Sequence, residues 1–209
     1  MKGDLHIHSK YSPDSRQEPE EIVRVAQKIG LDFIAISDHN RFNEYKLGFP
    51  TIRAEEVSSI DGHILAIFID GEIPPRLSQA ETVEMIHDKN GIAICAHPFR
   101  RVNGVRSKFS DIYDAIEAKN GRCSAACNEK ASELAAELKR PVTAGSDSHF
   151  YDEIGRTYIE LDGTDDESIR KAILNNKVKT YGNDLSPSDQ IKLYFKLGKD
   201  YVKRGFKRI

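Results

Sequence analysis

The 209-residue sequence contains seven histidines, His6, His8, His39, His63, His87, His97 and His149. Six of them fall at or just beyond a short apolar run, and only His87 lies inside a helical stretch, as a surface or packing residue. Several have a carboxylate close by: Asp4 near His6, Asp38 before His39, Asp61 near His63, Asp147 two residues before His149. In His6-x-His8 the two imidazoles lie at i and i+2, on one side of an extended chain, and can reach one ion. Asp147-x-His149 repeats that spacing. Mixed imidazole and carboxylate ligands suit Zn, Mn or Fe. They outnumber what one tetrahedral ion can use, and Glu56, with two oxygens, is suited to bridge two. Two ions about 3.5–4 Å apart generate a bound hydroxide and clamp the oxygens of a phosphoryl group in transfer. Taken singly, each of these residues also reads as a polar group at a strand end; their recurrence at successive strand ends points to a metal centre.

The elements that must bring them together alternate strand and helix. Leu5 and Ile7 alternate with His6 and His8 in a first strand, which places the histidines on the face opposite the aliphatic pair. Pro19-Glu20-Glu21 opens a helix that runs through Ile29 and closes at Gly30. Phe33–Ile36 reads as a buried parallel strand. Ile52–Val57 and Ile64–Ile69 read as two more, joined across the Asp61-Gly62 turn. A helix over about Ser78–Lys89 precedes a strand at Ile92–Cys95. There follow a strand near Ile116, a helix over about Ser124–Leu138, a strand at Val142–Ala144, a strand at Thr157–Leu161 and a helix near Asp166–Leu174. Repeated units of this kind predict a parallel sheet, open or closed into a barrel. In a barrel the strand C-termini converge on one face, where residues distant in sequence meet.

Composition limits the alternatives. The length suits one domain spanning 1–209, with Ser186-Pro187-Ser188 introducing a terminal helical extension over about 187–209. A formal net charge of -2 gives no global attraction to nucleic acid or to an acidic membrane. Apolar runs such as Ile64–Ile69 are too short to span a bilayer, and polar residues begin at Lys2, so a cytoplasmic protein without membrane association is expected. Cys95, Cys123 and Cys127 show no disulfide-framework spacing; Cys123 and Cys127, four apart, are expected to share a helix face as packing residues.

The motifs Asp4-Leu-His-Ile-His-Ser, Ser12-Pro-Asp14, Ile36-Ser-Asp-His39, Glu56-Val-Ser, Gly62-His-Ile-Leu65, Ala96-His-Pro98 and Gly145-Ser-Asp-Ser-His149 resemble, in this order, those of the PHP (polymerase and histidinol phosphatase) domain. The resemblance covers about residues 4–150. It implies an α/β fold, a distorted (β/α)7 barrel of the PHP type with a C-terminal helix, and a phosphoesterase site holding two or three divalent metal ions (Mn, Zn or Fe). By that pattern His6, His8, Glu56 and Asp147 surround a first ion. Glu56 bridges to a second held by His63 and His97, and Asp14, His39 and His149 hold a third. Asp14 stands where some members have His, which hardens the third site and favours Mn or Fe over Zn. The resemblance makes Glu56, rather than Glu55, the ligand, and Asp38 a group that orients His39.

Arg100 and Arg101 follow His97-Pro98-Phe99, where a guanidinium is suited to grip a phosphate; solvated loop charges are the alternative. Glu117-Ala-Lys119-Asn120 resembles a further family element, or serves loop and helix capping. The terminal helix, over about Asp189–Arg208, carries seven Lys and Arg against two Asp, either as a solvated face or toward a phosphate-rich partner. The expected activity is hydrolysis of a small phosphomonoester or nucleotide by metal-activated hydroxide, with Arg100 assisting. The alternatives are an exonuclease or phosphodiesterase acting on short oligonucleotides, and a catalytically retired metal-binding regulatory module. A retired domain should have lost ligands, whereas here every family position is filled.

Overall fold

The computed structural model describes residues 1–105 and 111–203. In chain order these form β1 (Lys2–Ile7), α1 (Pro19–Lys28), β2 (Phe33–Ile36), β3 (Thr51–Ser59), β4 (Gly62–Ile67), α2 (Gln79–Asp88), β5 (Ile92–Cys95), β6 (Ala115–Asn120), α3 (Ala125–Glu137), β7 (Val142–Gly145), β8 (Thr157–Leu161), α4 (Asp166–Leu174), β9 (Val178–Gly182) and α5 (Pro187–Lys203). The helix starts follow local chemistry. Pro19 sits in the first turn of α1 with Glu20 and Glu21, which complement the positive end of the helix dipole. Ser78 and Glu81 close a capping box on α2, and Asp165 and Ser168 do so on α4.

The strands lie in the order β7-β6-β5-β4-β3-β2-β1-β8-β9. β1–β7 curl into a nearly closed barrel, because the chain just past β7 returns to the end of β1. Asp147 N donates to His6 O at 2.7 Å and His8 N to Ser148 O at 2.9 Å, with a parallel bridge between Ile7 and Ser148. The lower part of β1 pairs instead with β8, antiparallel, and β9 extends that edge. The sheet is mixed, not wholly parallel as the alternation predicts. β3 and β4 are joined by a turn so tight that Ser59 pairs with Gly62, which forces them antiparallel, and β4 meets β5 antiparallel as well.

One apolar cluster draws on β1 to β8 together with Ile169, Ala172 and Ile173 of α4, and fills the barrel. A second lies outside under α2 and α3, and a third outside under α1. Leu5 belongs to the inner cluster and Ile7 to the outer one under α1, so the expectation that both share a face is corrected. The cause is a break in the β1/β2 register between Asp4 and Ile7. Such a bulge changes side-chain parity. Cys123 precedes the α3 cap, Ser124, so it does not share a helix face with Cys127. α5 starts at Pro187, where the terminal extension is expected to begin and two residues before the expected basic helix, and the part of that helix beyond Lys203 lies outside the described residues. Among the described residues no helix is long and apolar enough to cross a membrane.

Candidate metal centre

Parallel strands deliver their C-terminal residues to one end of the barrel. His6 is the penultimate residue of β1 and His8 follows the strand; His39 follows β2, His97 follows β5, and Asp147 and His149 follow β7. Glu56 is within β3, beside His39 in an isolated bridge. β4 runs the other way, so its first turn lies at the same end, and the hairpin register Ser58–His63 carries His63 there. Asp14 arrives on the loop after β1. All nine ligand candidates therefore meet at one mouth. Glu55, the neighbour of Glu56, points to the other side of β3, where Ile73 N donates to its Oε2.

Four overlapping sets bring one donor atom from each member within 4.8 Å of the others: His6, His8 and Glu56; His39, Glu56 and His63; His6, His97 and Asp147; and His8, Asp14, His39 and His149. Glu56 is the hub. Its Oε1 lies 2.8 Å from both His63 Nδ1 and His97 Nε2. Its Oε2 lies 3.1 Å from His39 Nδ1, 3.2 Å from His8 Nε2 and 3.3 Å from His6 Nε2.

The donor set fits divalent ions. His6 Nδ1 lies 2.9 Å from Glu117 Oε1, and Glu117 Oε2 already accepts from His97 N and Asn120 Nδ2, so Nδ1 carries the proton. His6 Nε2 then faces the Glu56 and Asp147 carboxylates with a lone pair. His149 repeats the logic: Nδ1 donates to Asp147 O at 2.9 Å, and Nε2 faces Asp14 Oδ2 at 2.7 Å. Acceptor against acceptor is unfavourable unless a cation stands between them. His6 Nε2, His8 Nε2, Glu56 Oε2 and Asp147 Oδ1 are moreover buried without a hydrogen-bond partner. Burial opposes a proton on His6 and His8, but carboxylates outweigh it. Glu117, Glu56 and Asp147 push His6 upward, and the Asp147 and Glu56 carboxylates close to Nε2 raise His8 to about 9. At His149, burial and the Arg122 charge push the pKa down to about 3, so a proton does not fill that place near neutral pH.

The surrounding groups hold this arrangement. Gly145 is required by close approach, because a Cβ there would stand 2.4 Å from His6 Cβ and 2.8 Å from His6 N. Asp147 and His97 adopt left-handed backbone, φ 54° and 28°, a strained choice that aims both side chains inward. Asp4, buried and raised by burial to about 6, accepts from His6 N, Ser146 N and Gly155 N, tying β1 to the chain after β7. Arg100 forms an ion pair with Asp147, and its Nε donates to Val102 O. Asp38 corrects the sequence reading. Its carboxylate accepts from Ser9 N, Ser9 Oγ and Tyr45 Oη (2.7, 2.8 and 2.5 Å), so it secures the loop after β1 rather than the His39 ring. His87 lies outside the cluster, beside Asp114.

Glu117 is the residue that sequence reasoning underrated. Its signal was position, one residue past Ile116 in a strand whose end reaches the mouth. Ser12, which lies 2.9 Å from His8 Nδ1 and accepts from His39 N, gave no signal beyond its motif. Beside the cluster opens a cleft of about 1140 Å³, lined by Asp14, His39, His63, the β3–β4 turn and Asn103–Gly104.

Fold and site together define an α/β barrel whose mouth gathers imidazoles and carboxylates suited to several cations. The PHP domain model matches residues 4–95 and the PHP-associated model residues 126–178, and the chain belongs to the PHP family. An uncharacterized protein of Methanocaldococcus jannaschii is 38% identical over 140 residues, 57% of this chain and 82% of that protein. Two solved structures share the fold. One is a two-domain Bacteroides vulgatus protein containing a predicted PHP-like metal-dependent phosphoesterase, with TM-score 0.70, 20% identity, and coverage of 94% of this chain and 69% of that one. The other is a lesion-specific endonuclease from Pyrococcus furiosus, with TM-score 0.67, 21% identity, and coverage of 88% and 60%.

Proposed function

We propose that the protein hydrolyses a phosphate ester, a small phosphomonoester or nucleotide, at a centre of two or three divalent ions. The observation that carries this reading is that the buried, unpartnered His6 Nε2 and His8 Nε2 both face the unpartnered Glu56 Oε2, at 3.3 and 3.2 Å, and Asp147 Oδ1, at 3.8 and 3.4 Å. His6, His8, Glu56 and Asp147 would hold one ion, Glu56, His63, His97 and His39 a second, and Asp14, His39 and His149 a third. Bound ions of this kind supply an activated water and neutralise charge on phosphoryl oxygens. The chain does the rest. Glu117 fixes the His6 tautomer, and Ser12 braces the His8 ring. Asp38 anchors the loop that carries Asp14. Arg100, held at Asp147, offers a guanidinium to the equatorial oxygens as their charge grows. The wide cleft beside His39 and His63 receives the esterified group.

The reading is supported by family membership and by the filling of every ligand position, which disfavours a retired module. The likeness in fold to an endonuclease keeps phosphodiesters as a second reading. Purified protein loaded with Mn, Zn or Fe should contain two or three ions per chain and hydrolyse p-nitrophenyl phosphate faster than bis(p-nitrophenyl) phosphate. Asp147→Asn should retain the fold and lose at least about 100-fold in kcat. Metal content near zero refutes the centre, and preference for the diester replaces the first reading by the second.

A further inference from the structure

The basic residues of α5 are not distributed as solubility would require. Lys192, Lys196, Lys199 and Lys203 recur at i, i+4, i+7 and i+11, a single helical ridge. Lys192, Lys199 and Lys203 are exposed, but the positions beside them are apolar: Ile191, Tyr194, Phe195 and Val202 are 58–69% exposed. A helix needing charge only for solvation would place it at those positions too. The ridge meets the barrel mouth. Lys196, Lys199 and Lys203 line a cavity of about 490 Å³ whose opposite wall includes Asp14 and His149, two of the ligand candidates. Lys196 is fixed there by Asp152 at 2.5 Å and lies over the Phe150 ring at 5.0 Å. Lys199 and Lys203 make no ion pair among the described residues.

The other approach to the centre has a different character. The described residues lining the large cleft include no Lys or Arg, and their neutral polar groups (Asn40, Ser58, Ser59, Asn103) suit an uncharged part of a substrate. The two openings share Asp14 and so flank one centre.

Resting on the phosphoesterase reading, we propose that Lys196, Lys199 and Lys203 form a second anion subsite, so that the substrate carries a further phosphate beyond the one hydrolysed. Fixed positive charge is placed where a phosphate leaving the centre past His149 would arrive, and one such group adds affinity without entering the chemistry. The second phosphate could be a further monoester on a small molecule or the next linkage of a short strand. The shared chemistry is the second anion, and the probes separate the sources.

The test compares the parent with Lys199→Ala/Lys203→Ala and the charge-preserving Lys199→Arg/Lys203→Arg. Substrates are p-nitrophenyl phosphate, fructose 1,6-bisphosphate and a 5′-phosphorylated dinucleotide. The parent should favour at least one two-phosphate substrate over p-nitrophenyl phosphate in kcat/KM. The alanine variant should reduce that ratio about tenfold, the order expected of two partly solvated ammonium–phosphate pairs, mainly through KM. The arginine variant should restore it, and added salt should erode it. Which two-phosphate substrate shows the effect identifies the source. A ratio unchanged by the alanine variant for both refutes the subsite. Equilibrium binding of a fluorescein-labelled, 5′-phosphorylated dinucleotide and of fructose 1,6-bisphosphate to the metal-loaded proteins gives a readout independent of turnover. Lysine-dependent binding without hydrolysis of any ester supports the subsite and refutes the phosphoesterase reading. Lysine-independent binding of both, or binding of neither, refutes the subsite.

Discussion

Replacing Glu117 by Gln changes no volume and leaves every metal-ligand candidate in place, yet it should weaken the centre. The carboxylate accepts on both oxygens: from His6 Nδ1 at 2.9 Å, and from His97 N and Asn120 Nδ2 at 2.8 and 3.0 Å. An amide has one acceptor and one donor. If its oxygen serves His97 and Asn120, its NH2 faces His6 Nδ1, which must then become an acceptor. The ring proton moves to Nε2 and occupies the lone pair aimed at Glu56 and Asp147. The opposite amide orientation sets NH2 against two N–H donors in a fully buried place, which costs about 1–3 kcal/mol. Either way His6 is lost or strained as a ligand, and groups in this position typically contribute 10–100-fold to metal affinity. That is about 1.4–2.7 kcal/mol. Competition titration of Mn or Zn against a chromophoric chelator measures it directly, with circular dichroism to confirm the fold. Affinity within twofold of the parent would show that Glu117 does not set the His6 tautomer.

Gly145→Ala should destabilise the protein by about 1–3 kcal/mol or more, because the new Cβ meets His6 Cβ and N at 2.4 and 2.8 Å and must spread the β1–β7 seam. A thermal midpoint equal to the parent's would refute the close approach. Glu55 is buried, with one oxygen unpartnered, and burial raises it to about 8. The folded state thus holds this proton more tightly than the unfolded state does. Stability falls as pH rises from the ordinary carboxylate range toward about 8. Glu55→Gln removes that dependence, so its melting temperature relative to the parent should increase between pH 5 and pH 8; a constant difference would exclude ionisation of Glu55 as the cause.

Much of this was legible because the ligand candidates sit at strand ends, and continuous apolar runs such as Phe33–Ile36 and Ile92–Cys95 mark strands buried on both faces. Asp61-Gly62 marked the hairpin that brings His63 to the mouth. What stayed hidden depended on tertiary contacts. The β1 bulge cannot be read from Leu5-His6-Ile7-His8, which alternates perfectly; it arises where β1 leaves β8 below and meets the chain after β7 above. β9, with exposed Tyr181 and Gly182, is an edge strand with little apolar content to announce it. In sequence Asp38 pairs naturally with its neighbour His39, whereas its partner Tyr45 stands in an irregular loop with no periodicity to place it.

The seam between β1 and the chain after β7 also orders events in time. It joins residues 6–8 to residues 147–148, and the same few positions supply ligand candidates on both sides. A nascent chain that has emerged only to β6 already contains every ligand candidate except Asp147 and His149. It has nothing to pair with the upper end of β1 and leaves the His6 and His8 backbone groups there without their partners. Closing the ring requires a loop of about 140 residues, the slowest kind of contact to form. Until then the upper end of β1 is an unpaired sheet edge. The contacts that close the ring are thus the ones that complete the set of ligand candidates, and a chain that ends before β7 lacks both.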